Sequence, residues 1–376
     1  LLKTSILGRF SAPLADAVTE TGNALWLLDE IEAANLFLIQ LDRERTWFRY
    51  HHLFSELLQS LLQKQHPESV PALHLRAAVW LSQNGLTMDA VHHALAAGNN
   101  DLAATYVEDC AMPLIMQSHI IRVHEWLKSL PAEVIELRPR LQRMQLWILL
   151  HMSGSRPPAA ILKTLRSAFR EIDHRQPISA TEKQALRAEF YALAAGVISA
   201  ADRSATAVRL ASRWLAKFPE NQHFSRGTLA NVLGFSCYSI GELEAARIAC
   251  AKARDSHEIA HSVLGVVYSD LIRGLTEESA GDLKRAYAYF QRAAQHARNE
   301  VGAGSYAEAV AGIFEVDILY EWNDLAAAER RLQLHRQIIE ECGLVVHEIT
   351  CKLHAARLAA AFNRNDEALT VLERAE

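Results

Sequence analysis

Residues 257 to 261 read His-Glu-Ile-Ala-His. On a helix this H-E-x-x-H spacing sets two imidazoles one turn apart with a carboxylate between them, which could hold zinc and activate a bound water. The chemistry needs both histidines in mid-helix and a third ligand downstream. Leu264 and Val267 stand where the extended motif carries Gly and His, and the local punctuation places 257–261 where one helix ends and the next begins. A zinc hydrolase is therefore the remote alternative, and no catalytic or metal-ligating residue is assigned. The five cysteines, Cys110, Cys237, Cys250, Cys342 and Cys351, are scattered, odd in number and never paired as C-x-x-C, which fits a reducing compartment. His92-His93 and the cluster Arg330, Arg331 and Arg336 read as solvated helix faces, the arginines alternating with Glu329 and Glu340 as self-paired surface charges do.

The elements that must carry these residues are read from apolar spacing. Leu36, Leu38 and Leu41 precede a charged Asp-Arg-Glu-Arg bend and Trp47, Phe48 and Tyr50 follow it, which predicts a short β-hairpin. Leu53, Phe54, Leu57, Leu58, Leu61 and Leu62 then recur as one continuous helical face, predicting a buried helix whose first turn carries His51 and His52. Upstream, Leu2 to Phe10 and Leu14 to Val18 suggest short helices. A third follows Asn23, a candidate N-cap, with Leu25, Leu28 and Ile31 on one face. Small helices, a hairpin and a further helix are the order of a winged-helix unit, placed at residues 1–66.

From Pro71 helix follows helix. Leu73, Leu75, Ala77, Ala78 and Leu81 mark one that Asn84-Gly85 ends. Thr87 is expected to cap Met88 to Ala97, Gly98 to stop it, and Asn100 to cap the next. Pro131, Pro139 and the Ser-Gly-Ser-Arg-Pro-Pro stretch at 153–158 mark further turns, the last closing a helical linker or arm over 67–155. Beyond residue 200 a repeat emerges. Runs beginning at Gly241, Gly281, Asn323 and Asn363 each place a turn residue five positions before an alanine, 40, 42 and 40 residues apart, with a degenerate earlier copy at Asp202 to Ala207. Gly or Asn suits a helix C-cap and Ala a close interhelical contact, as a stack of helical hairpins requires. Ala253, Phe290 and Ala293 continue the likeness to tetratricopeptide repeats, whose period of 34 these copies exceed by about a turn. The expected fold class is all-α: a small winged-helix domain followed by a tetratricopeptide-like α-superhelix over 156–376.

Composition agrees with a helical chain, since 376 residues hold only 16 glycines and 10 prolines, well under the usual ~12%. The net charge is −5 with no long run of Lys or Arg, so nothing here is built to grip a phosphate backbone. No signal peptide or apolar run of membrane-spanning length appears, and a soluble cytoplasmic protein with no membrane partner is expected. Opening on Leu1 and stopping at Glu376 inside a helical pattern, the sequence reads as a piece of something longer.

The runs LLKTSILGRF, NLFLIQLDRERTWFRYHHLFSELLQSLL, AAVWLSQNGLTMDAVHHALAAGNNDLAATYVE and VHEWLKSLPAEVIELRPRLQRMQLWILL resemble the large ATP-binding regulators of the LuxR family, of the maltose-regulon-activator type, across about the first 150 residues. The resemblance implies a nucleotide-binding domain upstream of the winged helix, a helical-repeat sensor after it, and a DNA-binding helix-turn-helix at the end. With no G-x-x-x-x-G-K-[ST] here, it implies no cofactor in this segment, ATP or ADP in the full-length protein, DNA contact only through a further C-terminal domain, and self-association on activation. It also implies that His51 touches the β-phosphate of ADP and holds the protein shut. The alternative is a half-buried histidine capping its own helix.

Groove positions of tetratricopeptide proteins, carried onto the repeat, fall on Glu189, Asn231, Phe235, Tyr238, Tyr268, Asp317, Tyr320 and Arg357. Rings beside carboxylates, an amide and an arginine suit a polar organic ligand; equally, Phe235 and the tyrosines could simply pack between helices. The expected function is the regulatory arm and inducer-sensing segment of an ATP-dependent transcription activator, without catalysis of its own. Its partner is a small-molecule inducer or a regulatory protein, and the alternative is a scaffold holding a partner's segment in the same groove.

Overall fold

In a computed structural model the chain is described over residues 1–34, 37–152, 158–174, 179–342 and 345–373. Leu36 and most of the proposed boundary at 153–158 therefore lie outside the described residues. Two compact units form, one from residues 1–111 and 125–141, the other from 112–124 and 142–376.

The first unit opens with α1 (Ala12–Thr19), α2 (Ala24–Ala33), the antiparallel strands β1 (Leu38–Gln40) and β2 (Phe48–Tyr50), and α3 (His52–Gln65). Asp42 shapes the hairpin tip by accepting from the Thr46 and Trp47 amides at 2.8 and 3.2 Å. Residues 2–10 form turns instead of the expected helix. The hydroxyls of Thr4 and Ser5 donate to the Leu1 and Leu2 carbonyls, and Phe10 exchanges two 2.8 Å backbone bonds with Phe48, so local side-chain bonds and an extended bridge displace a helical ladder. Phe10, Leu14, Val18, Phe48 and Tyr50 make the core, with Leu58 and Leu62 of α3. Two residues of the predicted α3 face do not enter it, Leu53 and Leu57, which are 63% and 54% exposed.

Hairpin packing continues with α4 (Val70–Gln83), α5 (Thr87–Ala96), α6 (Asn100–Met116), α7 (Ile120–Ser129), α8 (Ala132–Glu136) and α9 (Pro139–Met152). Capping differs from expectation. Asn23 makes no side-chain cap bond, Thr87 lies inside α5, and Asn99 rather than Asn100 caps α6, its Oδ1 accepting from Leu102 at 3.1 Å. His93 is likewise no solvated residue. It is buried with its Nδ1 2.8 Å from that of His74, and burial pushes its pKa down to about 4, while His92 stays exposed.

Beyond the parts of α6, α7 and α9 within 112–124 and 142–152, the second unit holds α10 (Pro158–His174) and five hairpins: α11 (Ala180–Ala200) with α12 (Ser204–Leu215), α13 (His223–Ser239) with α14 (Leu243–Ile259), α15 (Val263–Ser279) with α16 (Leu283–Val301), α17 (Tyr306–Glu321) with α18 (Leu325–Cys342), and α19 (Val345–Ala361) with α20 (Asn365–Glu373). Every hairpin turns through one left-handed residue, Asp202, Gly241, Gly281, Asn323 or Asn363, with φ between 59° and 84°. Its successor's N–H returns to a carbonyl near the helix end, as Glu242 does to Cys237 and Asp282 to Glu277. The paired alanines Ala207, Ala246, Ala286, Ala328 and Ala368 are buried.

Glycines on the first helix of a pair admit large groups from the second. A methyl group at Gly274 would lie 2.2 Å from the Phe290 ring, and one at Gly312 would lie 2.2 Å from His335. Gly274→Ala is therefore expected to cost about 1–3 kcal/mol in urea unfolding, the usual range for overpacking, with part recovered by adding Phe290→Leu. An unchanged midpoint would mean that the ring has room to move.

Buried carboxylates bind neighbouring hairpins together. Asp270 on α15 pairs with Arg254 on α14 and Arg292 on α16, while Glu277, about two turns further on, takes Arg247 from α14 and Arg273 from its own helix. Glu315 meets Arg331 at 3.1 Å, so this arginine reaches inward and is not a surface partner of Glu329; Arg336 does pair with Glu340, at 2.6 Å.

Candidate functional site

A cavity of ≈350 Å³ lies within the second unit. Its walls come from the inner helices α11, α13, α15, α17 and α19, with Trp147 of α9, His257 of α14, and Ile115 and Met116 at the end of α6. The inner helices can approach because they carry small residues where they face it, Gly196, Ser199, Ala200 and Gly265 among them. Most of the lining is apolar, and the aromatic rings are Trp147, Phe224, Phe235, Tyr268 and Phe314. Trp147 and Phe224 lean on each other with centroids 5.2 Å apart.

Of the eight groove candidates, Asn231, Phe235 and Tyr268 line this cavity. Asn231 is already engaged, donating to the Gly265 carbonyl at 3.0 Å and accepting from Ser269 at 2.8 Å, so it clasps α13 to α15. Tyr268 interacts with Tyr306, whose hydroxyl stands 2.7 Å from His347 Nδ1, and burial pushes Tyr268 up to about 12. Tyr238 is not in the lining and its ring lies 6.0 Å from that of Phe235. Glu189 sits behind the wall, accepting from Arg143 and from the Trp147 indole, both at 3.1 Å.

Asp317, Tyr320 and Arg357 form a separate cluster. Arg357 bonds to Asp317, reaches Glu321 at 3.1 Å, and stacks 4.2 Å over the Tyr320 ring. Glu278 shares that neighbourhood; burial first, then Asp317 and Glu321, push it up to about 7 against the opposing pull of Arg357. The folded chain thus holds a proton that the unfolded chain has released between the usual 4.5 and about 7. This contribution is complete below the unfolded value and fades as pH rises through the folded one. Glu278→Gln is expected to raise the unfolding free energy by about 1–3 kcal/mol above pH 7 and to leave it unchanged below pH 4.5. Identical unfolding curves for the two proteins at pH 8 would contradict this.

The H-E-x-x-H run does not form a zinc helix. His257 ends its turn inside α14, buried between Gly227 and Gly265 and bonded to the Gly227 backbone, whereas His261 lies past the helix end at φ 52°. The two imidazoles do not share a helical face. Among the described residues no group of three or more His, Cys, Asp or Glu side chains is placed to hold a metal. The described cysteines, Cys110, Cys237, Cys250 and Cys351, are free thiols, and burial raises the pKa of each.

In the first unit His51 stands at the N-terminus of α3, half-buried, with no side-chain cap bond, so it does not cap its own helix. Its ring is 4.3 Å from that of His52 and 6.4 Å from that of Phe37.

The family described as the MalT winged helix domain matches residues 1–70, and the one described as the MalT-like TPR region matches residues 188–376, half of the chain. The chain belongs to the MalT-like family. This MalT-like chain is 28% identical over 361 residues to the serine/threonine-protein kinase PknK of Mycobacterium tuberculosis, and equally to PknK of Mycobacterium bovis. The match covers 96% of this chain and 32% of each relative, so the chain spans about a third of the length of the curated relatives it matches. Among solved structures, the signal transduction ATPase with numerous domains (STAND) protein with a tetratricopeptide repeat sensor from Pyrococcus horikoshii aligns with a TM-score of 0.54 at 12% identity, over 98% of this chain and 55% of that one. That likeness is one of fold: a MalT-like winged helix followed by tetratricopeptide-like helical repeats. Among the described residues no helix of the MalT-like chain is long and apolar enough to cross a membrane.

Proposed function

We propose that this chain is the regulatory sensor segment of an ATP-dependent, LuxR-type transcription regulator, acting in the cytoplasm. A small inducer in the inner cavity biases the repeat helices between two arrangements. One observation carries this reading: the cavity takes its walls from the inner helices of five successive hairpins, so a single occupant touches all of them. Binding can shift an equilibrium only by its preference for one arrangement over the other, and an occupant held by five separate hairpins is sensitive to how they are spaced. The segment carries no reaction of its own; ATP or ADP, DNA contact and self-association belong to the longer protein. A thermal-shift screen of metabolites tests this, since a ligand at 100 times its Kd adds about 2.7 kcal/mol. Stabilisation by a partner's peptide in place of any metabolite would move the function to a protein-binding scaffold.

The winged-helix unit supports the same reading. Leu25, Trp26, Phe37 and Leu53 are exposed, more large apolar surface than so small a unit leaves to water without a neighbour, and an upstream nucleotide-binding domain is the proposed cover. His51 is the residue proposed to meet a nucleotide there, a reading supported by its ring making no cap bond. A histidine-to-phosphate bond is worth about 1.5–3 kcal/mol. In the full-length regulator His51→Ala is therefore expected to raise inducer-free transcription by roughly 10- to 100-fold. Reporter output that stays at the uninduced level removes His51 from this role.

A further inference from the structure

We propose that the inner cavity takes a neutral, flat, largely apolar molecule, an aromatic or polycyclic compound with no ionised group. This rests on the cavity being the sensor site, and narrows the chemistry of what is sensed. Among the described residues no Asp, Glu, Lys or Arg occurs in its lining. The charged residues nearby carry their own counter-ions: Glu189 is held by Arg143, and Asp317 by Arg357. An ionised ligand would be taken out of water with no opposite charge to meet it, which strongly opposes binding.

The polar side chains of the wall are also engaged within the protein, apart from the Nδ1 of His257, which has no hydrogen-bond partner. Asn231 serves Gly265 and Ser269, the Ser199 hydroxyl is 2.8 Å from that of Ser236, and Thr228 donates to the Phe224 carbonyl at 3.0 Å. Burial pushes His257 down to about 4, so it lines the cavity as a neutral ring. The lining is therefore mostly apolar, with aromatic rings supplied by Trp147 of α9, Phe224 and Phe235 of α13, Tyr268 of α15 and Phe314 of α17. Native interiors are close-packed, and ≈350 Å³ is within the range of sites that bury a small organic molecule. The polar organic ligand expected from the sequence rested on Glu189, Asp317 and Arg357, none of which lines the cavity, and on the amide of Asn231, which lines it but is engaged by Gly265 and Ser269.

Two probes share one aromatic skeleton and differ by a sulfonate: neutral N-phenyl-1-naphthylamine and anionic 1-anilinonaphthalene-8-sulfonate. Titrated into the whole chain, the neutral probe should saturate at one equivalent. Val232→Trp, which fills the cavity from α13, should weaken that binding at least tenfold, while Leu53→Glu on the exposed face of α3 should leave it unchanged. The component lost in Val232→Trp should be at least tenfold weaker for the sulfonate. If Val232→Trp does not fold, Leu275→Trp fills the same space from α15.

Equal or tighter binding of the sulfonate in that component overturns the proposal. So does a saturable calorimetric signal with raffinose, a neutral trisaccharide, that the filling variant removes; either result leaves the cavity a sensor for another class of molecule. Neutral-probe binding indifferent to both filling variants overturns the proposal, and peptide capture sensitive to those variants would overturn the small-molecule sensor along with it.

Discussion

Replacing Arg247 and Arg273 together by methionine is expected to lower the unfolding free energy of the repeat unit by about 3–5 kcal/mol at pH 8. Glu277 is 1% exposed and holds both arginines, Arg247 through 3.1 and 3.0 Å bonds and Arg273 through one of 2.8 Å. What remains after the change is Arg285 at 3.7 Å, itself mostly in water. A carboxylate buried without adequate partners costs far more than the ion pair contributed, so the loss comes from stranding Glu277 rather than from forgone attraction.

The pH dependence identifies the cause. In the parent, hydrogen bonding from Arg247, then the charges of Arg273 and Arg247, hold the Glu277 pKa below its usual 4.5. Its stabilisation is present above 4.5 and is lost as pH falls through that depressed value. In the double variant the sign reverses, and the deficit should be larger at pH 8 than at pH 5, where Glu277 can take up a proton. Adding Glu277→Met should restore most of the stability, because an apolar replacement of the whole group carries no desolvation cost. Urea unfolding at both pH values decides it; a double variant within about 1 kcal/mol of the parent at pH 8 would show that water reaches Glu277.

The second large effect is acid sensitivity. His257 and His335 are each 2% exposed, and burial holds both down to about 4. Between 6.5 and 4 the unfolded chain binds protons at these sites that the folded chain refuses, so their contribution is complete above 6.5 and is lost as pH falls toward 4. Each residue adds a slope of about 1.4 kcal/mol per pH unit. Glu278 opposes them with one proton over its own range, so Glu278→Gln should steepen the profile by the amount that either histidine removal flattens it. His257→Phe keeps a ring between Gly227 and Gly265 and should flatten the profile by about 1.4 kcal/mol per unit, or about 3 kcal/mol across the window. A slope unchanged by that substitution would show that His257 takes a proton while folded.

The hairpin stack was legible because its signal is local. A left-handed turn residue five positions before a buried alanine is dictated by backbone geometry, and all five turns have it, Asp202 included. The winged helix was legible by element order, but α3 was not legible by periodicity. An amphipathic pattern reports which residues can share a face, and Leu53 and Leu57 share theirs with no other element of their unit.

The cavity was legible only in part. Phe235 and Tyr268 follow from the repeat register, whereas Trp147 precedes the repeats and Phe314 has no counterpart in the turn-to-alanine pattern. Charges misled for one reason: Glu189, Asp317 and Arg357 do lie on inner helices, but their partners come from residues 46, 42 and 40 positions away, and no spacing rule foretells such pairs. His93 shows the same limit, since a histidine 19 residues upstream decides that it is buried.

The exchange of a missing side chain on one helix for a bulky group on its partner also bears on how such repeats diverge. Gly274 with Phe290 and Gly312 with His335 are sterically tied pairs, and each is expected to change as a pair. A relative that gains a methyl at the first site needs something slimmer at the second, and lineages crossing from one solution to the other pass through an overfilled or underfilled intermediate. Sequence drift in these hairpins should therefore be correlated two by two across each helix pair, a covariation that any collection of relatives can be searched for.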